Sequence, residues 1–162
     1  MKREKYNINR LRDFIVKAKT QKYLYYMQAE KNVCPEEIIH EKFTYSEEGF
    51  TMEDKYCRNL PFSGQEIVRF QNRPIWIMNY YGEKVVRDAV VQSEEVLNVN
   101  RLWILMFYQD GGVNGLLMQD IKDDRYIIEN EGNYTMFNGK GALLRKHQSI
   151  YEITFHGGLV GE

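Results

Sequence analysis

Apolar and polar residues alternate with two different periods along this chain, and the changes of period divide it into elements. Leu11, Phe14, Ile15 and Ala18 recur at i, i+3, i+4 and i+7, with Arg12, Asp13, Lys17 and Lys19 on the other face, so residues 9–19 are predicted as a short amphipathic helix capped by Asn9. Residues 21–27, rich in tyrosine, read as a strand or buried extended segment, and residues 29–35 as a loop before a single helical turn through Ile38. Residues 42–45 and 50–56 form a predicted hairpin around the loop 46–49.

The densest stretch is Tyr56–Gly82. It reads as a strand over 65–70, a turn over 71–74 and a second strand over 75–81. In that second strand Trp76, Met78 and Tyr80 share the face assigned to the core, and Ile75, Ile77, Asn79 and Tyr81 share the other. A second helix is predicted over 93–109, opened by Ser93 and the Glu94–Glu95 pair and stopped by Gly111–Gly112. Residues 115–120 and 126–129 make another predicted hairpin about 122–124.

A displacement of seventy-five positions lays Phe62, Gly64, Ile75 and Gly82 on Phe137, Gly139, Ile150 and Gly157 without a gap. Such self-similarity points to duplication of a half-domain, about 42–82 and 117–157. Gly64 and Gly139 are expected to supply a turn or bulge with positive φ, and Gly82 and Gly157 to end strands. The order helix, hairpin, motif, repeated once, predicts an α+β fold. Its two pseudo-repeated halves are expected to build one curved antiparallel sheet, open or barrel-like, with two main helices packed outside. At 162 residues a single domain is expected.

Composition adds limits. The chain is 43% hydrophobic and 14% aromatic, which suits a full core without staples. No apolar run approaches the ~20 residues of a membrane span and no secretory leader opens the chain, so a cytoplasmic protein with no membrane partner is expected. Cys34 and Cys57 lack CxxC spacing and read as thiols. Three scattered histidines, His40, His147 and His156, do not make a metal site, and no cofactor motif is present; no metal and no cofactor are expected. Net charge is −1 but uneven: residues 1–22 carry eight basic side chains against Glu4 and Asp13, which leaves −7 on the rest. That basic end is either a solvated helix face or a phosphate-contacting surface.

The candidate site residues are Glu66, Trp76, Asn79, Tyr80, Tyr81 and His156. Glu66 needs a donor if it points inward, and Asp54 and Tyr56 share that ambiguity. Trp76, Tyr80 and Tyr81 floor a pocket or simply fill the core. His156 precedes two glycines that let a ligand or backbone come close. The stretch YCRNLPFSGQEIVRFQNRPIWIMNYYG, with FIVKAKTQKY before it and IYEITFHGGLVG at the end, resembles an uncharacterised bacterial domain family. That family carries F-x-G-x-E-x-V, P-x-W-x-M-N-Y-x-G and a terminal H-G-G, and its members stand alone or behind a helix-turn-helix domain. The resemblance implies a sensing or accessory module. It places Phe62, Gly64, Glu66, Pro74, Trp76, Met78, Asn79, Tyr80, Gly82, His156, Gly157 and Gly158 on the pattern, while Gly141 stands where a second glutamate is expected.

Three functions follow as expectations. The first is a module that binds an unidentified small molecule or a protein partner between the halves. The second is an enzyme using Glu66 and His156 as acid and base, which requires both in one cleft. The third is a nucleic-acid accessory protein using residues 2–22.

Overall fold

The computed structural model describes residues 6–29, 40–57, 61–108 and 114–161. Cys34, Pro35–Ile38, Gln109, Gly111 and Gly112 lie outside them. The elements run α1 (Ile8–Ala29), β1 (His40–Glu47), β2 (Phe50–Cys57), β3 (Phe62–Phe70), β4 (Arg73–Lys84), α2 (Ser93–Tyr108), β5 (Gly115–Ile121), β6 (Asp124–Asn133), β7 (Met136–Arg145) and β8 (Gln148–Leu159).

The strands form one antiparallel sheet in the order β1-β2-β3-β4-β8-β7-β6-β5. Its edges, β1 and β5, are at opposite ends of that order, so the sheet is not closed into a barrel. The first four strands make one half and the last four the other, joined along the β4–β8 ladder. Helix α1 lies over β1 and β2, α2 lies over β5, β6 and β7, and the two helices touch. Alternation fixes which side chains they cover: Trp76, Met78 and Tyr80 are buried, while Ile77, Asn79 and Tyr81 lie on the other, more exposed face. Trp76 stacks on Phe137 at 5.6 Å, and its indole N–H donates to the Tyr134 carbonyl.

Tight turns explain why the hairpins are shorter-looped than the sequence suggests. Glu48–Gly49, Gln71–Asn72 and Lys146–His147 all have positive φ, which matches the twist of two-residue hairpin turns. The expected loop over 46–49 therefore gives Ser46 and Glu47 to β1, and the expected turn over 71–74 gives Arg73 and Pro74 to β4. Pro74 is tolerated in β4 because the ladder with β3 is irregular beside it, between Val68 and Arg69. A matching irregularity separates Leu143 from Leu144 in β7.

Three expectations fail. No strand covers residues 21–27, because α1 runs unbroken to Ala29, and its cap is Asn7 rather than Asn9: the Asn7 side-chain oxygen accepts from the Asn9 N–H at 2.8 Å. The four motif glycines are all inside strands. A Cβ at Gly64 would fall 2.3 Å from the Tyr80 hydroxyl, and one at Gly139 2.5 Å from the Phe155 ring. Their role is close approach of an aromatic side chain on the neighbouring strand.

Candidate functional site

The inward stripe of α1 begins with Leu11, Phe14, Ile15 and Ala18 and then continues, at the same helical spacing, through Lys19, Lys22 and Tyr26. Two lysines thus occupy positions that the periodicity reserves for the core. Both are buried, at 4% and 8% exposure. They meet two carboxylates that show no exposure at all, Asp54 on β2 and Glu66 on β3, which are direct cross-strand partners.

Each charge has partners. Glu66 accepts from Lys19 Nζ at 2.5 Å and from Lys22 Nζ through its other oxygen. Asp54 pairs with Lys22 at 2.9 Å and accepts from the hydroxyls of Tyr26 at 3.0 Å and Tyr80 at 2.9 Å. Gly64 makes the last contact possible, since only a residue without a Cβ leaves room for the Tyr80 hydroxyl over β3. Lys19 Nζ also sits 3.8 Å from the centre of the Trp103 ring on α2, a cation–π contact, and 3.9 Å from the Met78 sulfur.

Electrostatics separate the four groups. Burial opposes the charge on Glu66, but the two lysines overcome it and hold the carboxyl down to about 2. Burial raises Asp54 above the usual carboxylate range, against the pull of Lys22. Burial dominates at Lys19 and brings it down to about 8 despite Glu66. At Lys22 burial acts in the same direction, yet Asp54 and Glu66 together outweigh it and raise the group above its ordinary value. Tyr26 and Tyr80 are raised well above theirs by burial and by Asp54 beside them, so both stay neutral donors.

Lys19, Lys22, Glu66, Tyr26 and Tyr80 of this cluster form one wall of a cleft between α1, α2 and the sheet. The remaining wall is mostly apolar, with Phe62, Val99, Trp103, Ile153 and Phe155 prominent and Tyr23 and Asn100 beside them. The cleft holds about 40 Å³ of free volume, and about 530 Å³ of unfilled space when its open mouth is counted. The inner volume admits on the order of three water molecules. A larger occupant therefore requires side chains or helices to move.

The other half of the sheet provides a comparison. There the cross-strand neighbours Ile128 and Gly141 meet α2: Val99 comes down on Gly141, and Ile128 and Val99 line the same cleft as Glu66. That side of the cleft is packed with apolar side chains, facing the ionisable groups of the first half.

The sequence-chosen residues are divided by the sheet. Glu66 and Tyr80 face the cleft. Trp76 is on the same side but is sealed in the core. Asn79, Tyr81 and His156 are on the opposite face, where Gln65 donates to the Asn79 side-chain oxygen at 2.8 Å and the Asn79 amide nitrogen is 3.5 Å from His156 Nε2. Glu66 and His156 therefore share no cleft and cannot act on one substrate atom. The basic end also looks different in three dimensions. Lys19 and Lys22 are buried, while Arg10, Arg12 and Lys17 pair with Glu48, Asp13 and Glu47. Lys2, Arg3 and Lys5 lie outside the described residues.

Sequence reasoning missed Lys19, Lys22, Tyr26 and Trp103. The signal was present: extending the 3.6-residue stripe past Ala18 would have placed both lysines inside. Among the described residues, no group of three or more His, Cys, Asp or Glu side chains could hold a metal ion, and no helix is long and apolar enough to cross a membrane. No curated protein and no solved structure matches the chain. Residues 54–160, which contain Asp54, Glu66, Tyr80 and most of the sheet, match the family model described as a domain of unknown function (DUF5680), and the chain belongs to that family.

Proposed function

We propose that this protein is a cytoplasmic ligand-binding module, a sensing or accessory domain of bacterial type, and that its ligand occupies the cleft between α1, α2 and the sheet. One observation carries the reading: three charged side chains, Lys19, Lys22 and Glu66, none more than 8% exposed, line an otherwise mostly apolar cleft, with Asp54 paired to Lys22 beside it. Replacing buried ion pairs by apolar packing is often neutral or stabilising, so stability alone does not account for them. On the other side of the same cleft, Ile128 and Val99 pack without any charge, which supports that reading. A cleft of mostly apolar wall with a few converging polar groups is the usual form of a small-molecule site.

The single domain is best read as a duplication. Turns at 71–72 and 146–147, ladder irregularities after Val68 and Leu143, and the twelve-residue strands β4 and β8 all recur at the same displacement. Duplication supplies two helices that can part over one cleft, and divergence leaves the charges in one half. The site residues in this reading are Glu66 and Tyr80 from the motif, joined by Lys19, Lys22, Asp54 and Trp103.

The test is a thermal-shift screen against a metabolite library with wild type, Lys19→Met/Glu66→Gln and His156→Ala. A ligand at a hundred times its Kd adds about 2.7 kcal/mol of stability, which for a chain of this size is a shift of roughly 5–10 °C. The reading requires a compound that shifts wild type and His156→Ala and leaves the double variant unmoved. A shift equal in all three, or none in wild type, contradicts it; the second result directs attention to a protein partner.

A further inference from the structure

We propose that Lys19 is a carbonyl-reactive amine, and that an uncharged short-chain aldehyde or ketone entering the cleft condenses with its Nζ to form an imine. The inference rests on the cleft being the ligand site and names the chemistry of its occupant.

The two buried lysines are not equivalent. Lys22 is clamped between two carboxylates, Asp54 and Glu66, both of which favour its proton. Lys19 has one carboxylate, and its remaining surroundings are the Trp103 ring, the Met78 sulfur and the cleft itself. Among the described residues, the titratable groups beside the two lysines are the Asp54 and Glu66 carboxyls, Tyr26 and Tyr80 as donors to Asp54, and Tyr23 on the cleft wall. Burial and the neighbouring Lys22 cation loosen the Lys19 proton, to a value of about 8. At pH 7 roughly a tenth of such an amine is neutral, against well under a hundredth for an exposed lysine. A lysine desolvated in an apolar pocket beside a second cation is a recognised form of activated nucleophile.

The step balances without a co-reactant. Glu66 Oε2, at 2.5 Å, takes one proton from the Lys19 ammonium. The freed lone pair attacks the carbonyl carbon, and the C=O π pair moves to oxygen, which receives that proton from Glu66. A second proton passes from nitrogen to the hydroxyl by the same carboxylate, the C–O bond breaks, water leaves and the C=N bond forms. Ammonium and carbonyl have become iminium and water. The positive charge stays beside Glu66, so the cluster of two cations and two carboxylates remains balanced. A substrate bearing its own carboxylate would add an unmatched anion to that enclosed site, which selects an uncharged carbonyl compound. The free volume of about 40 Å³ selects a short one.

Reductive trapping tests this. The full chain is treated with butanal and sodium cyanoborohydride between pH 7 and 9, then digested and mapped by mass spectrometry. Butylation of Lys19 should exceed that of the exposed Lys55 and Lys140 by at least about tenfold at pH 8, the reverse of their order of exposure. Lys19→Arg keeps a cation opposite Glu66 but forms no imine, so its melting curve reports folding while its map should lose the fast site. Labelling led by Lys55 and Lys140 with Lys19 spared overturns the proposal, as does an identical pattern in the urea-denatured chain. A library compound that shifts wild type without any Lys19 adduct from butanal sinks this inference and leaves the binding reading standing. Absence of both responses removes both.

Discussion

Asp54 and Glu66 stand directly opposite one another on β2 and β3, both without solvent exposure and both turned toward α1. Like charges in that position repel, and repulsion is strongest where water is excluded. The pair persists because α1 brings Lys19 and Lys22 down on it and because Tyr26 and Tyr80 donate to Asp54. The helix, the sheet and the cleft are thereby tied to one charge balance.

Removing one charge should be costly. Glu66→Gln leaves Lys19 with no carboxylate partner and Lys22 with only Asp54. Breaking a buried pair in this way costs about 3–5 kcal/mol, with loss of the Lys19 proton setting the lower end. Urea denaturation of the two proteins at pH 7 measures it, and a change under about 1 kcal/mol would show that Glu66 is not paired in solution.

Gly64 and Tyr80 should be energetically coupled. Gly64→Ala puts a methyl group where the Tyr80 hydroxyl lies, with the Lys55 carbonyl 2.7 Å from the new carbon. The ring must shift and Asp54 loses a donor. Tyr80→Phe removes the closest atom in advance, so Gly64→Ala should cost less in that background. A double-mutant cycle by urea denaturation should give a coupling of about 1 kcal/mol; strict additivity would contradict the contact.

The two faces of β4 and β8 should respond differently. Trp76→Ala removes an indole that is 0% exposed and stacked on Phe137, at a cost of about 3–5 kcal/mol. His156→Ala, on the exposed face, should stay within about 0.5 kcal/mol of wild type. Thermal melts of both variants decide whether the motif histidine belongs to the core account or to a surface.

Stability should depend on pH in an unusual direction above neutrality. Lys19 holds its proton less tightly folded than unfolded, so between about 8 and its ordinary value the unfolded chain binds more protons and stability rises with pH. Lys22, Tyr26 and Tyr80 are raised, so what they contribute is present at lower pH and is lost above about 10. Glu66 is lowered, and its contribution disappears as pH falls from the ordinary carboxylate range toward 2. Urea midpoints should therefore climb from pH 8 to about 9 in wild type but not in Lys19→Arg, before the raised tyrosines, Tyr56, Tyr134 and Tyr151 among them, turn both downward near 10. A wild-type midpoint that falls steadily above pH 8 would contradict the burial of Lys19.

Much of the fold was legible because its signals are local. Alternation located β4 and put Trp76, Met78 and Tyr80 inward, and the acidic first turn of α2 marked its start. The site was less legible because its signal contradicts the usual meaning of residue types. Lysines on a helix normally report solvent, so Lys19 was assigned to the wrong face and the tyrosines after it to a strand. Gly64 suggested a turn because its real constraint, the Tyr80 hydroxyl, comes from the next strand. Asn79, Tyr81 and His156 were grouped with Glu66 because adjacency in a motif hides the alternation that sends neighbours to opposite faces.

The central claim is that Lys19 is a buried, cleft-lining amine held by Glu66, and a lysine side-chain NMR titration tests it most directly. With lysine labelled at the ζ-nitrogen and ε-carbon, one resonance should titrate near 8, far from the roughly 10.4 of exposed lysines, and should vanish in Lys19→Arg. If every lysine titrates together near 10.4, Lys19 faces water, and the charge cluster, the cleft chemistry and the binding site built on them fall with it.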